Sequence, residues 1–444
     1  MLRKGRLARL ARLGGMATGL VGDVAGAAVH LVHDTTEEAG ARLHKRAAER
    51  LLRVLGDMKG LPLKAGQMLS YIDEFIPEEH RHIYEQVLGR LQMHTPVMAW
   101  EDIQEVFEEE FDGRTPIEVF RSFDPEPVAA ASIGQVYKAV LHDGTTVAVK
   151  IQYPGVVDAL DSDLANISQI AGAVSHLIPK TDFTHLIADV IHKLEDECDY
   201  VLEAQSQQAF IDLFADDPQI LVPRVFPELS TRRVLTTEFI EATEWADMLQ
   251  TADDEARSLY GQVIFRFVFE SLFRHGLFNG DPHPGNYLFM PDGRITFIDF
   301  GCVQRYSDEQ SAAFRRLRDG VLAGTTGPAL RRLLVQAFML EEDIDAEVMT
   351  AMEDYILFSL QPATAPQPYR FTREYSKELL IRMMRVKNLM TVKLFTGKKA
   401  YPLDLERADA GIAFLGRTLT GLASILTTLG SEADFRAIIE ATGE

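Results

Sequence analysis

A chain of 444 residues with 46% hydrophobic and 25% charged residues has a globular composition and the length for one large domain or two to three smaller ones. Its 66 Asp and Glu against 45 Lys and Arg leave a formal net charge of −21, which argues against a nucleic-acid binder, because phosphate affinity depends on clustered Lys and Arg that release counterions. Two cysteines, Cys198 and Cys302, exclude a disulfide framework and a C-x-x-C metal site, and point to a reducing compartment.

The charge is polarised. Residues 1–60 carry 11 Lys and Arg against 6 Asp and Glu, a balance of +5, which leaves −26 on the rest of the chain. Residues 1–34 form a basic segment in which Leu2, Leu7, Leu10 and Leu13 fall roughly on one helical side, and Arg6, Arg9 and Arg12 interrupt the apolar core a signal peptide requires. Two readings fit it, an interfacial amphipathic anchor and a solvated tail. Residues 35–112 read as an all-helical extension, with Leu51, Leu52, Leu55 and Met58 and the run Met68, Leu69 and Ile72 in helical periodicity.

After Gly113 the texture changes, and residues 113–241 read as a small, mostly β lobe. Ile133 to Leu141 and Thr146 to Ile151, joined by a turn at His142, Asp143 and Gly144, predict a hairpin. Helical stretches follow to about Phe214, then strand-like pieces at Leu221 to Val225 and Arg233 to Phe239. Residues 242–444 read as a large helical lobe interrupted by a hairpin around Tyr287 to Ile298. The stretch nearest to a membrane span, Gly411 to Gly430, contains Arg417 and many Thr, Ser and Gly, so no span is expected. The expected class is thus α+β, two-lobed, with a cytoplasmic location or a peripheral one at the inner face of a membrane.

The segment Asn279-Gly-Asp-Pro-His-Pro-Gly-Asn286, followed by Phe297-Ile-Asp-Phe-Gly301 with Asp299 thirteen residues after Asn286, carries the chemistry. Phosphoryl transfer needs positioning and charge more than covalent chemistry, hence oxygen ligands for Mg²⁺ and a carboxylate beside the nucleophile. Asp281 supplies the base or orienting carboxylate, Asn286 a metal ligand and Asp299 the main Mg²⁺ ligand beside the triphosphate of ATP. His283 reads as a structural residue of the loop. Upstream, Val147-Ala-Val-Lys150 ends a strand where a lysine can meet the α- and β-phosphates. One hairpin earlier, Ala129-Ala130-Ala131-Ser132-Ile133-Gly134 stands where a kinase has its glycine-rich phosphate cradle, with only Gly134 retained; methyl groups stiffen such a loop while leaving its amides for phosphate.

These residues, in this order, resemble the UbiB/AarF family of atypical kinases, the coenzyme Q-supporting kinase-like proteins of mitochondria. The resemblance runs from about Leu51 to Cys302 and adds Lys64-Ala-Gly-Gln67 in the helical extension and Glu197-Cys-Asp199 followed by Glu203. It implies a protein-kinase-like two-lobed fold whose N-terminal helical extension packs over the active site, with Lys64 and Gln67 at the site, Lys64 meeting Glu197 or Asp199, and Glu203 pairing with Lys150. In Thr237-Glu238-Phe-Ile240, Glu238 falls where an interlobe linker would bond adenine through its backbone. The implied activity is an ATP- and Mg²⁺-dependent kinase or ATPase serving quinone or other isoprenoid-lipid metabolism, with the nucleotide and an isoprenoid lipid or quinone precursor as partners. The alternatives are a soluble small-molecule phosphotransferase, resembling aminoglycoside and choline kinases, and a non-catalytic nucleotide-binding scaffold. Asn279 and Gly280 depart from the family's usual residues, and the hydrophobic C-terminal helix pair of some bacterial relatives is absent or weakened by Arg417.

Overall fold

A computed structural model describes residues 98–131, 133–156, 198–340, 344–395 and 412–442. Lys64, Gln67, Ser132 and Glu197, the basic segment 1–34 and most of the expected helical extension lie outside them. The chain divides into two compact units, one holding the residues up to Asp199 with Thr231–Thr236, the other Tyr200–Ser230 and the chain from Thr237 onward.

The first unit is built on a five-stranded sheet. Helix α1 (Trp100–Glu110) precedes it, with Glu101 and Asp102 complementing the positive end of its dipole and Ile103, Val106 and Phe107 buried along one stripe. The short helix α2 (Pro116–Val119) starts on a proline, whose fixed φ suits a first turn, with the Thr115 N–H donating to Glu118 at 2.8 Å. The strands are β1 (Ser122–Phe123), β2 (Ala129–Ala131), β3 (Gly134–Val140), β4 (Thr146–Gln152) and, later in the chain, β6 (Val234–Glu238), in the order β1-β3-β4-β6 with β2 on β3. The expected hairpin is β3–β4, antiparallel in register Gly134↔Gln152 through Val140↔Thr146. Alternation buries Tyr137 and Ala139 on β3 and Val147, Val149 and Ile151 on β4. Trp100 closes this face, its ring 4.6 Å from Phe123 and edge-on to Tyr137 at 5.2 Å. Arg233 forks onto α1, Nε to Glu110 at 2.6 Å and Nη2 to Glu109 at 2.8 Å.

The second unit is mainly helical, around α5 (Asp254–His275). Asp253 caps this helix by accepting from the Ala256 N–H at 2.8 Å, and Arg274 and His275 sit in its last turn, both favourable against the helix dipole. Val263, Ile264, Phe265, Phe267, Val268 and Phe269 are all buried, so α5 is apolar on more than one side and forms the centre of the core. It ends at Gly276, whose left-handed φ of +63° suits glycine at that cap; a Cβ there would also stand 2.5 Å from Ser311 Oγ.

Before α5 come α3 (Tyr200–Leu213), β5 (Ile220–Leu221) and α4 (Trp245–Thr251). After it come β7 (Leu277–Asn279), β8 (Tyr287–Phe289), β9 (Ile295–Phe297) and β10 (Val303–Arg305). The expected hairpin near Tyr287 is β8–β9, extended by β5 parallel to β9. A second pairing, β7 with β10, was not foreseen in the sequence; its partners are three-residue strands far apart in the chain, too short to show a period.

Beyond these lie α6 (Asp308–Leu322), α7 (Gly327–Ala337), α8 (Ala346–Ser359), α9 (Gln361–Thr364), β11 (Tyr369–Arg370), α10 (Arg373–Phe395), α11 (Ile412–Leu429), β12 (Glu432–Ala433) and α12 (Phe435–Ala441). The near-apolar stretch Gly411 to Gly430 is α11, whose Leu415, Leu419, Leu422, Leu426 and Leu429 are buried in the core. Among the described residues no helix is long and apolar enough to cross a membrane. The α+β expectation is met: a sheet-based unit and a larger helical one.

Candidate functional site

In the second unit, α5 and the Gly276 cap feed β7, and β7 delivers the loop Gly280–His283. The loop is shaped by its own polar groups. Asn279 Nδ2 donates to Asp299 O at 3.1 Å while its Oδ1 accepts from the Asp281 N–H at 3.2 Å, so one side chain ties the two aspartate segments together. The Gly280 N–H donates to Cys302 O at 2.8 Å and continues the β7–β10 pairing. The His283 N–H returns to Asp281 O at 2.8 Å, and His283 Nδ1 accepts from the Gly285 N–H at 3.1 Å; this is the structural role expected of His283.

Asn286 ends the short 3₁₀ turn Pro284–Asn286. Its Nδ2 donates to Asp281 O at 3.0 Å and to Asp281 Oδ2 at 3.2 Å, which fixes the amide orientation and leaves Oδ1 as its oxygen for a cation. The Ile298 N–H donates to Asn286 O at 3.0 Å and binds the far end of β9 to the same loop. Asp299 has φ +70°, a left-handed conformation that Asp tolerates better than most residues, and its Oδ1 accepts from the Gly301 N–H at 3.1 Å. Phe300 is buried and packs 5.0 Å from Phe210 of α3, so the middle of Asp-Phe-Gly anchors the turn. Glu203, also on α3 and buried, reaches the same turn: a Cβ on Gly301 would stand 3.4 Å from Asp299 Oδ1 and 3.7 Å from Glu203 Oε2. Two carboxylates therefore face the same glycine.

Burial, and after it the nearby charge of Asp299, push the Asp281 carboxyl above the usual carboxylate range, against the Asn286 amide, Arg417 and His283. Two carboxylates and an amide oxygen held this way suit a hard divalent cation. Mg²⁺ is typically bound by one or two carboxylates plus phosphate oxygens and water, so a sparse protein donor set fits it. Among the described residues no group of three or more His, Cys, Asp and Glu could hold a metal unaided.

In the first unit, Lys150 is half-buried on β4 opposite Val136 of β3. The expected alanine loop is in part a strand: Ala129, Ala130 and Ala131 form β2, paired with Val136, Gln135 and Gly134. Alanine's small side chain leaves the backbone open to pairing, which is why the segment joins the sheet instead of standing off as a loop. Gly134 is required by a close approach, since a Cβ there would lie 2.2 Å from Ile151 O. Asp199 pairs with exposed Arg232 at 3.6 Å. In the second unit, the Glu238 N–H donates to Arg224 O at 2.8 Å and its carboxylate accepts from the Arg224 N–H at 3.5 Å.

Four of the expected residues, Glu203, Asp281, Asn286 and Asp299, therefore belong to one cluster in the second unit. The residues that reasoning from sequence missed are Asn279, Gly280, Phe414 and Arg417. Arg417 Nη2 donates to Gly280 O at 3.2 Å and lies 3.6 Å from Cys302 Sγ. The available signal was the departure at Asn279-Gly280 together with a single charge in an otherwise apolar helix.

The ABC1 atypical kinase-like domain family matches residues 90–324, more than half of the chain. Relatives include an atypical kinase COQ8B, mitochondrial, of Danio rerio, 35% identical over 312 residues, 68% of this chain and 49% of that protein. Another is the atypical kinase COQ8, mitochondrial, of Saccharomyces cerevisiae, 36% identical over 274 residues, 61% of this chain and 53% of that protein. The chain thus spans about half the length of the curated relatives it matches. Among solved structures, Rv3197 of Mycobacterium tuberculosis, in complex with erythromycin, is similar with a TM-score of 0.60 and 29% identity, over 92% of this chain and all of that one. The kinase-like α+β fold is borne out by these matches.

Proposed function

The chain belongs to the ABC1 atypical kinase-like family, and from that premise we propose that it is an ATP- and Mg²⁺-dependent atypical kinase or ATPase of the UbiB type, supporting quinone or other isoprenoid-lipid metabolism at a membrane surface. The observation that carries the reading is that Asn279 ties the Asp281 and Asp299 segments together while Asn286 bonds Asp281, which sets a half-buried carboxylate beside two further oxygen-bearing side chains. Asp281 orients the attacking hydroxyl or water. Asn286 and Asp299 would hold Mg²⁺, which would supply charge neutralisation at the phosphate oxygens. Glu203 completes the acidic side of the Gly301 turn; the family resemblance assigns Lys150 to the α- and β-phosphates and the segment Ala129 to Gly134 to the nucleotide. Asp199 belongs with Lys64, Gln67 and Glu197 in the family-specific part of the site.

ATP turnover by the purified chain, with Mg²⁺ or with EDTA, and with anionic liposomes or a quinone-precursor phenol added, is the direct test. Mg²⁺-dependent turnover raised by liposomes or phenol supports the reading; a chain that neither binds nor hydrolyses Mg·ATP overturns it. Acceleration by a soluble hydroxyl or amine compound alone would favour the small-molecule phosphotransferase. The erythromycin complex of the similar Rv3197 is the observation behind that second reading.

Two further results are expected. Removing residues 2–15 weakens binding to anionic liposomes about tenfold or more at low salt, since each Lys or Arg near such a surface contributes on the order of 1 kcal/mol. Unchanged co-sedimentation would make the segment a solvated tail. Lys64→Ala lowers turnover or nucleotide affinity at least about tenfold, because a lysine paired inside a site leaves a carboxylate uncompensated when removed. Lys59→Ala, five positions away, does not, as exposed pairs contribute about 0–1 kcal/mol. Wild-type kinetics in both variants would take the helical extension out of the site.

A further inference from the structure

We propose that Arg417 of α11 is a positioning residue for the Asp281 loop, clamping it to the Asp299–Cys302 segment, so that α11 is part of the catalytic apparatus. The inference rests on the reading of Asp281 as the orienting carboxylate.

The contact between helix and loop is reciprocal. Gly280 lies against the Phe414 ring so closely that a Cβ would stand 2.0 Å from its Cζ; on the other side, a Cβ on Gly421 would stand 2.7 Å from Pro282 Cγ. The loop supplies a glycine where the helix has a ring, and the helix supplies a glycine where the loop has a proline. Between them, Arg417 Nη2 and Thr418 Oγ1 both donate to Gly280 O, at 3.2 and 3.3 Å. Residues 414, 417, 418 and 421 fall on one helical face, and sliding the helix by one residue would bring side chains against both glycine contacts.

Arg417 does more than fill that seat. Thr418, fully buried, has one hydroxyl proton, and Phe414 O at 3.0 Å is nearer to it than Gly280 O at 3.3 Å, so the guanidinium is the firmer donor to the Gly280 carbonyl. What arginine adds is a positive charge at the peptide preceding Asp281 and a second contact, at 3.6 Å, to Cys302 Sγ. Its charge opposes the repulsion between Asp281 and Asp299, and its Nη2 meets both of the segments that carry them. The Gly280 N–H, bonded to Cys302 O at 2.8 Å, closes the same link from the backbone.

The test compares Arg417→Ala, Arg417→Lys and Thr418→Val in the full chain, reading amide hydrogen exchange over Asn279–Asn286 together with kcat and the Kd for Mg·ATP. With Arg417→Ala, loop exchange rises about tenfold or more while α5 exchanges as before, and kcat falls by about 10- to 100-fold with Kd moving less than about threefold. Arg417→Lys, which keeps the charge, recovers part of kcat, and Thr418→Val loses less than Arg417→Ala. Unchanged loop exchange in Arg417→Ala, or equal kcat losses in Arg417→Ala and Thr418→Val, overturns the proposal. If Arg417→Ala does not fold, Arg417→Gln, neutral but still a donor, decides: a fall in kcat supports the proposal and wild-type kcat overturns it. A wild-type chain without ATP turnover would overturn the ATPase reading instead, and loop exchange alone would then decide the role of Arg417 in the same two ways.

Discussion

Asp299→Asn abolishes Mg²⁺-dependent nucleotide binding, whereas Asp281→Asn lowers turnover and leaves that binding largely intact. The contrast follows from what each carboxylate does. Asp299 stands at the turn where Glu203 and Gly301 meet it, and in the proposed role of main cation ligand it would be needed before any nucleotide is seated. Asp281 is bonded by Asn286, and in the proposed role of orienting carboxylate its loss would be felt in the chemical step. Asparagine is the replacement to use at both positions. Residue 299 has φ +70°, which asparagine accepts, and an asparagine Oδ1 can still receive the Gly301 N–H, so the backbone has no cause to move. At position 281 the amide keeps the volume and removes the charge. Asp299→Asn should cost about 10³-fold or more in kcat/KM, roughly 4 kcal/mol, and Asp281→Asn about 10²- to 10⁴-fold in kcat, the range for losing a positioned base. Titration with a fluorescent nucleotide in Mg²⁺ and in EDTA, alongside steady-state ATP hydrolysis, separates the two. Full turnover in both variants would sink the kinase-like reading of the site.

What could be read in the sequence, and what could not, divides by distance along the chain. Asp281, Asn286 and Asp299 could be singled out in the sequence because the 23 residues from Asn279 to Gly301 contain both segments, and the short hairpin β8–β9 between them has a strand texture. Lys150 could be singled out because it follows Val147-Ala-Val149 just after a turn, although β4 runs on past it to Gln152. The Ala129–Ala131 strand was missed because alanine carries little strand preference, and here pairing with Gly134–Val136 overrides propensity. The support of the Asp281 loop was illegible for a different reason. Arg417 lies 137 residues from Gly280, and a window drawn along the chain registers its charge but not the carbonyl it meets. In the sequence it reads as a flaw in an apolar helix; in the fold it is the polar centre of that helix's contact with the loop. The same separation hid Asn279, whose side chain bridges to a backbone oxygen 20 residues away.

The strand that leads to Asp299 depends on a charge pair, and removing that pair is the second large effect to expect. Asp217 Oδ1 accepts from the Gln219 and Ile220 N–H groups, both at 2.9 Å, and so shapes the entry to β5, which lies parallel to β9. Arg266, on α5, grips the same carboxylate with both terminal nitrogens, Nη2 to Oδ1 at 2.9 Å and Nη1 to Oδ2, and also reaches Glu270 Oε2 at 3.3 Å. Burial of the Asp217 carboxyl pushes its pKa upward, but the guanidinium and the two amides outweigh burial and hold it below the usual carboxylate value. Asp217→Asn keeps the two amide bonds and removes the charge, leaving Arg266 with Glu270 as its only strong counter-charge in this group. Breaking one side of a buried pair typically costs 3–5 kcal/mol; with Glu270 still present, about 2–3 kcal/mol is expected. The sign of the pH dependence follows from the depressed native pKa. The stabilisation is complete above the unfolded carboxylate value of about 3.9, and it is lost as pH falls from there through the native value. Wild type and Asp217→Asn should therefore differ fully at pH 6 and converge at lower pH. The chain has two tryptophans, Trp100 in the first unit and Trp245 in the second, where Trp245 packs 5.8 Å from Phe289 of β8. In a Trp100→Phe background, fluorescence then reports urea unfolding of the unit that holds Asp217. A difference absent at pH 6, or one that widens on acidification, would show that the pair is not what secures β5 and β9.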